Sequence, residues 1–80
     1  MNCNYKELVY YIARSLVDNP DKVEVYEIEG EKSTILELKV TREDMGKIIG
    51  KHGRIARAIR AIINVPAVKS GKRVVLEILD

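Results

Sequence analysis

"IIGKHGRI", residues 48–55, divides the second half of the chain into two helical segments. Two glycines, Gly50 and Gly53, enclose the basic pair Lys51 and His52. Glycine permits a tight turn and lets a ligand approach the backbone without a Cβ in the way. The turn leads into a helix, whose first N–H groups and positive dipole end favour an anion. The stretch therefore predicts a phosphate-binding turn between two helices.

The helices on either side of this turn are predicted over about 42–63. Thr41 offers an N-cap for the first of them. The second begins at Arg54, and the loop 64–72 follows it, with Pro66 and Gly71 as turn residues. The residues expected on its core-facing stripe are Ile55, Ala58, Ile59 and Ile62.

The rest of the chain supplies one more helix and three strands. Helical spacing predicts a helix over about 5–18, where Asn4 and Glu7 are placed as a capping box. Alternating patterns predict a hairpin over about 22–40 and a last strand over about 73–79. Two helices between the second and third strands allow a right-handed crossover, so these strands should run parallel. The order is αββααβ, an α+β fold in which a three-stranded mixed sheet has its helices on one face.

Charge is distributed unevenly along the chain. Residues 1–40 carry five Lys/Arg against eight Asp/Glu, and residues 41–80 carry nine against four, so the halves have net charges of −3 and +5. This asymmetry indicates that the second half builds a surface for a polyanion. The longest apolar run is too short to cross a membrane and the N-terminus lacks the features of a signal peptide, so a cytoplasmic protein is expected.

Nucleotide-hydrolysing and metal-dependent chemistry is not favoured. A Walker A loop needs four residues between its glycines and a hydroxyl after the lysine, but three residues separate Gly46 from Gly50, and His52 follows Lys51. A dinucleotide-binding loop, G-x-G-x-x-G, needs a strand before it and a βαβ unit, and neither this spacing nor this context is present. Cys3 is the only cysteine and His52 the only histidine, so neither a metal site nor a nucleophilic triad is expected. The sequence predicts a non-enzymatic protein without cofactors.

On these residues the stretch resembles the signature of KH domains, I-I-G-x-x-G-x-x-I, in which the G-x-x-G loop clamps the backbone of about four nucleotides. The match departs at one place, because Ile55 lies two positions past Gly53, where the pattern has the isoleucine three past and this chain has Ala56. The αββααβ order is that of the type II, prokaryotic arrangement. The chain is more narrowly similar to the small stand-alone bacterial KH-domain RNA-binding proteins of the KhpA type.

The resemblance implies a set of RNA-binding residues. Gly50, Lys51, His52 and Gly53 would form the clamp, with Arg54 beside it. Ile49 would line the aliphatic groove beneath the bases. The loop 64–72 would correspond to the variable loop of the family, with Lys69 and Lys72, beside Arg73, extending the basic path. Arg57 is either a solvated helix residue or a contributor to long-range steering, and Arg60 has the weaker claim of the two.

The resemblance also implies partners. Proteins of this type are RNA chaperones or post-transcriptional regulators, and they form homodimers or pair with a larger Jag-type KH-containing RNA-binding protein. In some bacteria the pair is linked to cell elongation and cell shape. The leading hypothesis is single-stranded RNA binding. The alternative is a protein-interaction module that docks a partner through the open sheet face, which would present Tyr26, Ile35, Val75 and Leu79.

Overall fold

The computed structural model describes residues 4–71 and 73–80. Within these ranges it describes all side chains except those of residues 65–70. Its first helix, α1, spans Tyr5–Leu16 and ends two residues before the predicted limit. The Asn4 side chain accepts a hydrogen bond from the Glu7 N–H at 3.1 Å, as the capping pattern predicts. Val9 and Ala13, which lie four residues apart, are fully buried, so α1 packs one face on the sheet.

The sheet contains three strands, and their order and directions are those predicted. β1 spans Glu24–Glu29, β2 spans Ser33–Lys39 and β3 spans Arg73–Leu79. β2 lies in the centre, antiparallel to β1 and parallel to β3. Alternate residues of β2 and β3 point under the helices, which leaves the opposite face of the sheet uncovered.

Two helices connect β2 to β3. A 3-10 turn at Arg42–Asp44 leads into α2, Met45–Ile49, and a second 3-10 turn at Lys51–Gly53 leads into α3, Arg54–Ser70. Thr41 lies at the N-cap position of the 3-10 turn Arg42–Asp44, as predicted, but its hydroxyl makes no capping hydrogen bond.

The third helix is longer than the sequence indicates, and the loop predicted over 64–72 is wrong for 64–70. Pro66 lies within α3, although an interior proline removes one helical hydrogen bond and crowds the preceding turn. The crossover offers a physical reason, since the chain must return along the whole length of β3 before it can run parallel to β2. A 17-residue helix covers about 25 Å, close to the length of a seven-residue strand.

The core-facing stripe of α3 is also shifted from the prediction. Ala58 is exposed and Ile62 is 51% exposed, whereas Ala56 and Ile63 are buried. The helix is therefore rotated toward the side of Ala56 relative to the predicted stripe. The main core cluster consists of Val9, Ala13, Val17, Val23, Val25, Leu36, Leu38, Val40, Ile48, Ile59, Ile63, Val74 and Leu76.

Candidate nucleic-acid interface

The loop 50–53 begins where α2 ends. The Gly50 N–H donates to the Gly46 carbonyl at 2.8 Å and closes the last turn of α2. Gly50 itself has φ 75° and ψ 173°, a conformation that side chains with a Cβ rarely adopt. A Cβ built on Gly50 would lie 2.6 Å from the Cγ1 atom of Ile55, which is far inside van der Waals contact. Glycine is therefore required here for two reasons, backbone conformation and space.

Ile55 is the residue at which the chain departs from the family pattern. It packs directly over Gly50 and against the core cluster, while the next residue, Ala56, is 4% exposed. Ala56, where the pattern has isoleucine, is buried on α3, and Ile55 covers Gly50.

The other end of the loop is a single 3-10 turn. The Gly53 N–H donates to the Gly50 carbonyl at 3.1 Å, and the Arg54 N–H donates to the Lys51 carbonyl. Gly53 has φ 73°, but a Cβ there would meet nothing within 4 Å. Between them His52 has φ 59° and ψ 24°, which places a non-glycine residue in the left-handed region.

The basic side chains at the loop are exposed and can meet a ligand. Lys51, His52 and Arg54 are all exposed. Within the described part of the chain, neither Lys51 nor Arg54 forms an ion pair. Since α3 begins at Arg54, its first-turn N–H groups add positive potential at the same place. The arrangement concentrates positive charge around an exposed, tightly turned backbone.

Two arginines of α3 have different surroundings. The exposed Arg57 donates from Nη2 to the His52 carbonyl at 3.0 Å and so touches the loop itself. Arg60 donates instead to the Leu76 carbonyl of β3 at 3.3 Å, away from the loop. The structure brings Arg57 to the loop and gives Arg60 a contact within the fold.

The remaining predicted residues lie around the loop to different extents. Ile49 is the last residue of α2 and is 36% exposed, whereas its neighbour Ile48 is fully buried. Lys69 belongs to the backbone of α3 and not to a loop. Lys72 lies outside the described residues. The basic path predicted over 64–72 therefore begins on a helix.

Asp44, directly before α2, is a buried support of this helix, which carries the loop. Its carboxylate, 1% exposed, accepts hydrogen bonds from the backbone N–H groups of Asp18 and Asn19 at 3.2 and 3.1 Å and from the Asn19 side chain at 3.1 Å. Burial alone would raise the pKa of Asp44, but the hydrogen bonds from Asn19 and Asp18 outweigh it and hold the pKa below its ordinary value. The signal in the sequence was only an aspartate before a short helix.

A salt bridge reinforces the same junction. The Lys47 ammonium lies 2.8 Å from the Asp18 carboxylate and 3.8 Å from that of Asp44. The hydrogen bond and the charge of Asp18 raise the pKa of Lys47. This salt bridge links α2 to the segment that follows α1.

The described residues contain no cluster of three or more side chains from His, Cys, Asp and Glu that could hold a metal ion. No helix in the described ranges is both long and apolar enough to cross a bilayer.

Comparison with known proteins places this geometry in context. A family model described as KhpA/KhpB, KH domain, matches residues 6–78. The chain is 64% identical over 74 residues to the RNA-binding protein KhpA of Clostridium acetobutylicum, which covers 92% of this chain and 99% of that protein. It is 61% identical over 74 residues to the RNA-binding protein KhpA of Clostridium perfringens, with the same coverage. The corresponding protein of Borreliella burgdorferi is 58% identical over 77 residues, which are 96% of this chain and 94% of that protein. No solved structure gives a significant match.

Proposed function

This chain belongs to the KhpA/KhpB family of KH domains, and on that premise we propose that it binds single-stranded RNA through the loop 50–53. The observation that carries the proposal is the exposed turn itself, in which Gly50, His52 and Gly53 all have positive φ. Such a turn brings the backbone close to a phosphate, and Lys51 and His52 add side-chain donors. The relatives described above bear the name RNA-binding protein.

The proposed contacts divide into backbone clamp and groove. The clamp consists of the loop with Arg54, and it holds phosphates without reading the bases. Ile49, half exposed at the end of α2, offers an aliphatic surface beside it. We include Lys69 and Lys72 in the basic path on the resemblance to the family alone, and Arg57 adds charge beside the loop. The phosphate is on a nucleic-acid backbone and not on a nucleotide substrate.

A single small clamp implies weak, salt-dependent binding with little sequence preference. Useful affinity then requires a second RNA-binding surface, supplied by a homodimer or by a larger Jag-type KH-containing protein. We propose accordingly a non-enzymatic, cytoplasmic RNA chaperone or post-transcriptional regulator.

Charge reversal in the loop tests the clamp. In the double variant Lys51→Asp/His52→Asp, binding to a short, labelled, single-stranded RNA of mixed sequence should be lost, because two carboxylates would repel the phosphates. Both side chains are exposed, so the thermal unfolding midpoint and the circular dichroism spectrum should stay close to the wild-type values. Fluorescence anisotropy measures the binding.

The matched control is Lys22→Asp/Lys32→Asp, which removes at least as much positive charge from two exposed positions on the hairpin side. This variant should retain most of its RNA affinity. Undiminished binding by the loop variant, or an equal loss in the control, would show that the loop does not hold the RNA.

A second candidate function rests on the uncovered sheet face. Ile28, Ile35 and Val75 lie side by side across the three strands, and Ile28 and its strand neighbour Tyr26 are 52% and 50% exposed. This apolar row favours docking of a protein partner or of a second copy. Light scattering of the isolated chain, measured beside RNA titration, separates the two functions, since self-association or partner binding without RNA affinity would favour docking.

A further inference from the structure

Arg57 makes the only side-chain hydrogen bond to the loop 50–53 among the described residues. Its partner is the carbonyl of His52, which is also the only described non-glycine residue with a positive φ. From this pair we infer that Arg57 is a positioning residue: it holds the His52 peptide in the left-handed turn that presents the clamp to a phosphate. The inference rests on the proposed function, and it assigns Arg57 a role that acts through the loop.

The loop needs such a restraint. Three of its four residues have positive φ, and two of them are glycines, which adopt many other conformations at little cost. The backbone ties are the hydrogen bonds from Gly53 to Gly50 and from Arg54 to Lys51. The carbonyl of His52 lies in the middle of the turn, so the bond from Arg57 restrains the segment that the two backbone bonds leave free.

An arginine on α3 is suited to this task. Its guanidinium is planar and carries five N–H donors, so one can hold a carbonyl while the others remain available. Arg57 lies one turn into α3, and the helix gives it a rigid base. By contrast, Arg60 donates to Leu76 of β3 and cannot serve the loop from there.

Loss of the hydrogen bond from Arg57 should reduce the fraction of molecules in which the loop holds the turn that binds RNA. If only a fraction of molecules holds the loop in the competent turn, the apparent affinity falls by that fraction. Loss of one hydrogen bond should therefore weaken RNA binding by about threefold to tenfold in Arg57→Ala. Since a nearby charge but no direct phosphate contact is removed, the slope of log affinity against log salt should change by well under one, whereas loss of a direct phosphate contact would reduce it by about one.

A double-mutant cycle distinguishes positioning of the loop by Arg57 from a direct contact between Arg57 and a phosphate. Glycine at position 52 adopts the left-handed turn without the steric cost that a Cβ imposes, so His52→Gly should lessen the need for Arg57. We expect Arg57→Ala to cost less than about twofold in the His52→Gly background. Arg42→Ala, which removes a charge from a side chain that is 92% exposed, is the matched control and should change affinity little in either background.

Hydrogen exchange in the free protein tests the inference without RNA. Amide hydrogen exchange at Gly53 and Arg54, measured by NMR, should be faster in Arg57→Ala and unchanged in Arg42→Ala, because the turn opens more often. Wild-type exchange rates at both amides in Arg57→Ala would overturn the inference. So would equal losses of affinity in the two backgrounds with a slope reduced by about one. If the wild-type protein failed to bind the RNA at all, the proposed function would fail, and the exchange measurement would still decide the role of Arg57.

Discussion

The two glycines of the loop both have a positive φ but are required for different reasons. Gly50 and Gly53 have φ of 75° and 73°. Only Gly50 lies against another side chain, that of Ile55, at a distance that no Cβ could share. The first glycine is therefore a packing position as well as a turn position, and the second is a turn position alone.

Alanine substitutions should separate these two requirements. Gly50→Ala combines overpacking against Ile55 with a positive φ, and should lower the free energy of unfolding by about 2 to 4 kcal/mol. Gly53→Ala carries only the backbone cost, about 1 to 2 kcal/mol. Urea denaturation followed by circular dichroism measures both.

Gly46 provides the matched control, because it lies in the helical part of α2 and a Cβ there meets nothing within 4 Å. Gly46→Ala should raise the free energy of unfolding by about 0.5 to 1 kcal/mol, since alanine loses less backbone entropy in a helix. Equal destabilisation by alanine at positions 50 and 53 would contradict the packing role of Ile55.

At the scale of elements, the loop depends on how α2 is attached to the rest of the fold. α2 has only five residues, too few to be stable alone, and Asp44 at its start is hydrogen-bonded to the segment that follows α1. Lys47 adds a salt bridge to Asp18 in the same place. These contacts fix the position of the loop relative to the core.

Acid should loosen this junction. The folded-state pKa of Asp44 is lowered, so the unfolded chain binds the proton more readily than the folded chain. The stabilisation is complete above the pKa of an unfolded aspartate, about 3.9, and is lost as the pH falls through the lower folded-state pKa. Urea denaturation from neutral pH down to below pH 4 should show a decline that Asp44→Asn largely removes, with a lower stability at neutral pH.

Asp21→Asn is the control for this measurement, since Asp21 is exposed in the 3-10 segment Pro20–Lys22. It should leave the acid dependence close to that of the wild type. If the free energy of unfolding of Asp44→Asn declined with falling pH as steeply as that of the wild type, the decline would come from other carboxylates.

Across the whole molecule, opposite surfaces carry different chemistry. Lys51, Arg54 and Arg57 lie at the loop and the start of α3. The uncovered face of the sheet carries charges of both signs, from Glu24, Glu37, Glu77, Lys39 and Arg73. The Tyr26 hydroxyl donates to Glu24 at 2.8 Å, and this hydrogen bond raises the pKa of Tyr26. A polyanion should therefore favour the loop, where the positive charges of Lys51, Arg54 and Arg57 form no ion pair with a carboxylate of the described residues.

This distribution predicts the salt dependence of RNA binding. A clamp on about four nucleotides engages roughly three or four phosphates, which gives a slope of log affinity against log salt of about −2 to −3 for a single strand. Anisotropy titrations at several potassium chloride concentrations measure the slope. A slope near zero would contradict backbone clamping, and a much steeper one would indicate that further copies or surfaces join the contact.

The sequence alone determined the element order and the basic loop, because these depend on local features: apolar periodicity, turn residues and the spacing of two glycines. It also determined the strand pairing, because a short turn and a two-helix crossover restrict how the strands can be connected. Only the tertiary structure decided what several residues do. Asp44 meets partners 25 and 26 positions away, Ile55 closes over Gly50, and Arg57 reaches the carbonyl of His52. The extent of α3 beyond Pro66 was likewise not determined locally, since the need to span the sheet outweighs the cost of a proline within a helix. Local patterns fix where the chain bends, but the contacts that hold the bend arise only when distant segments are packed together.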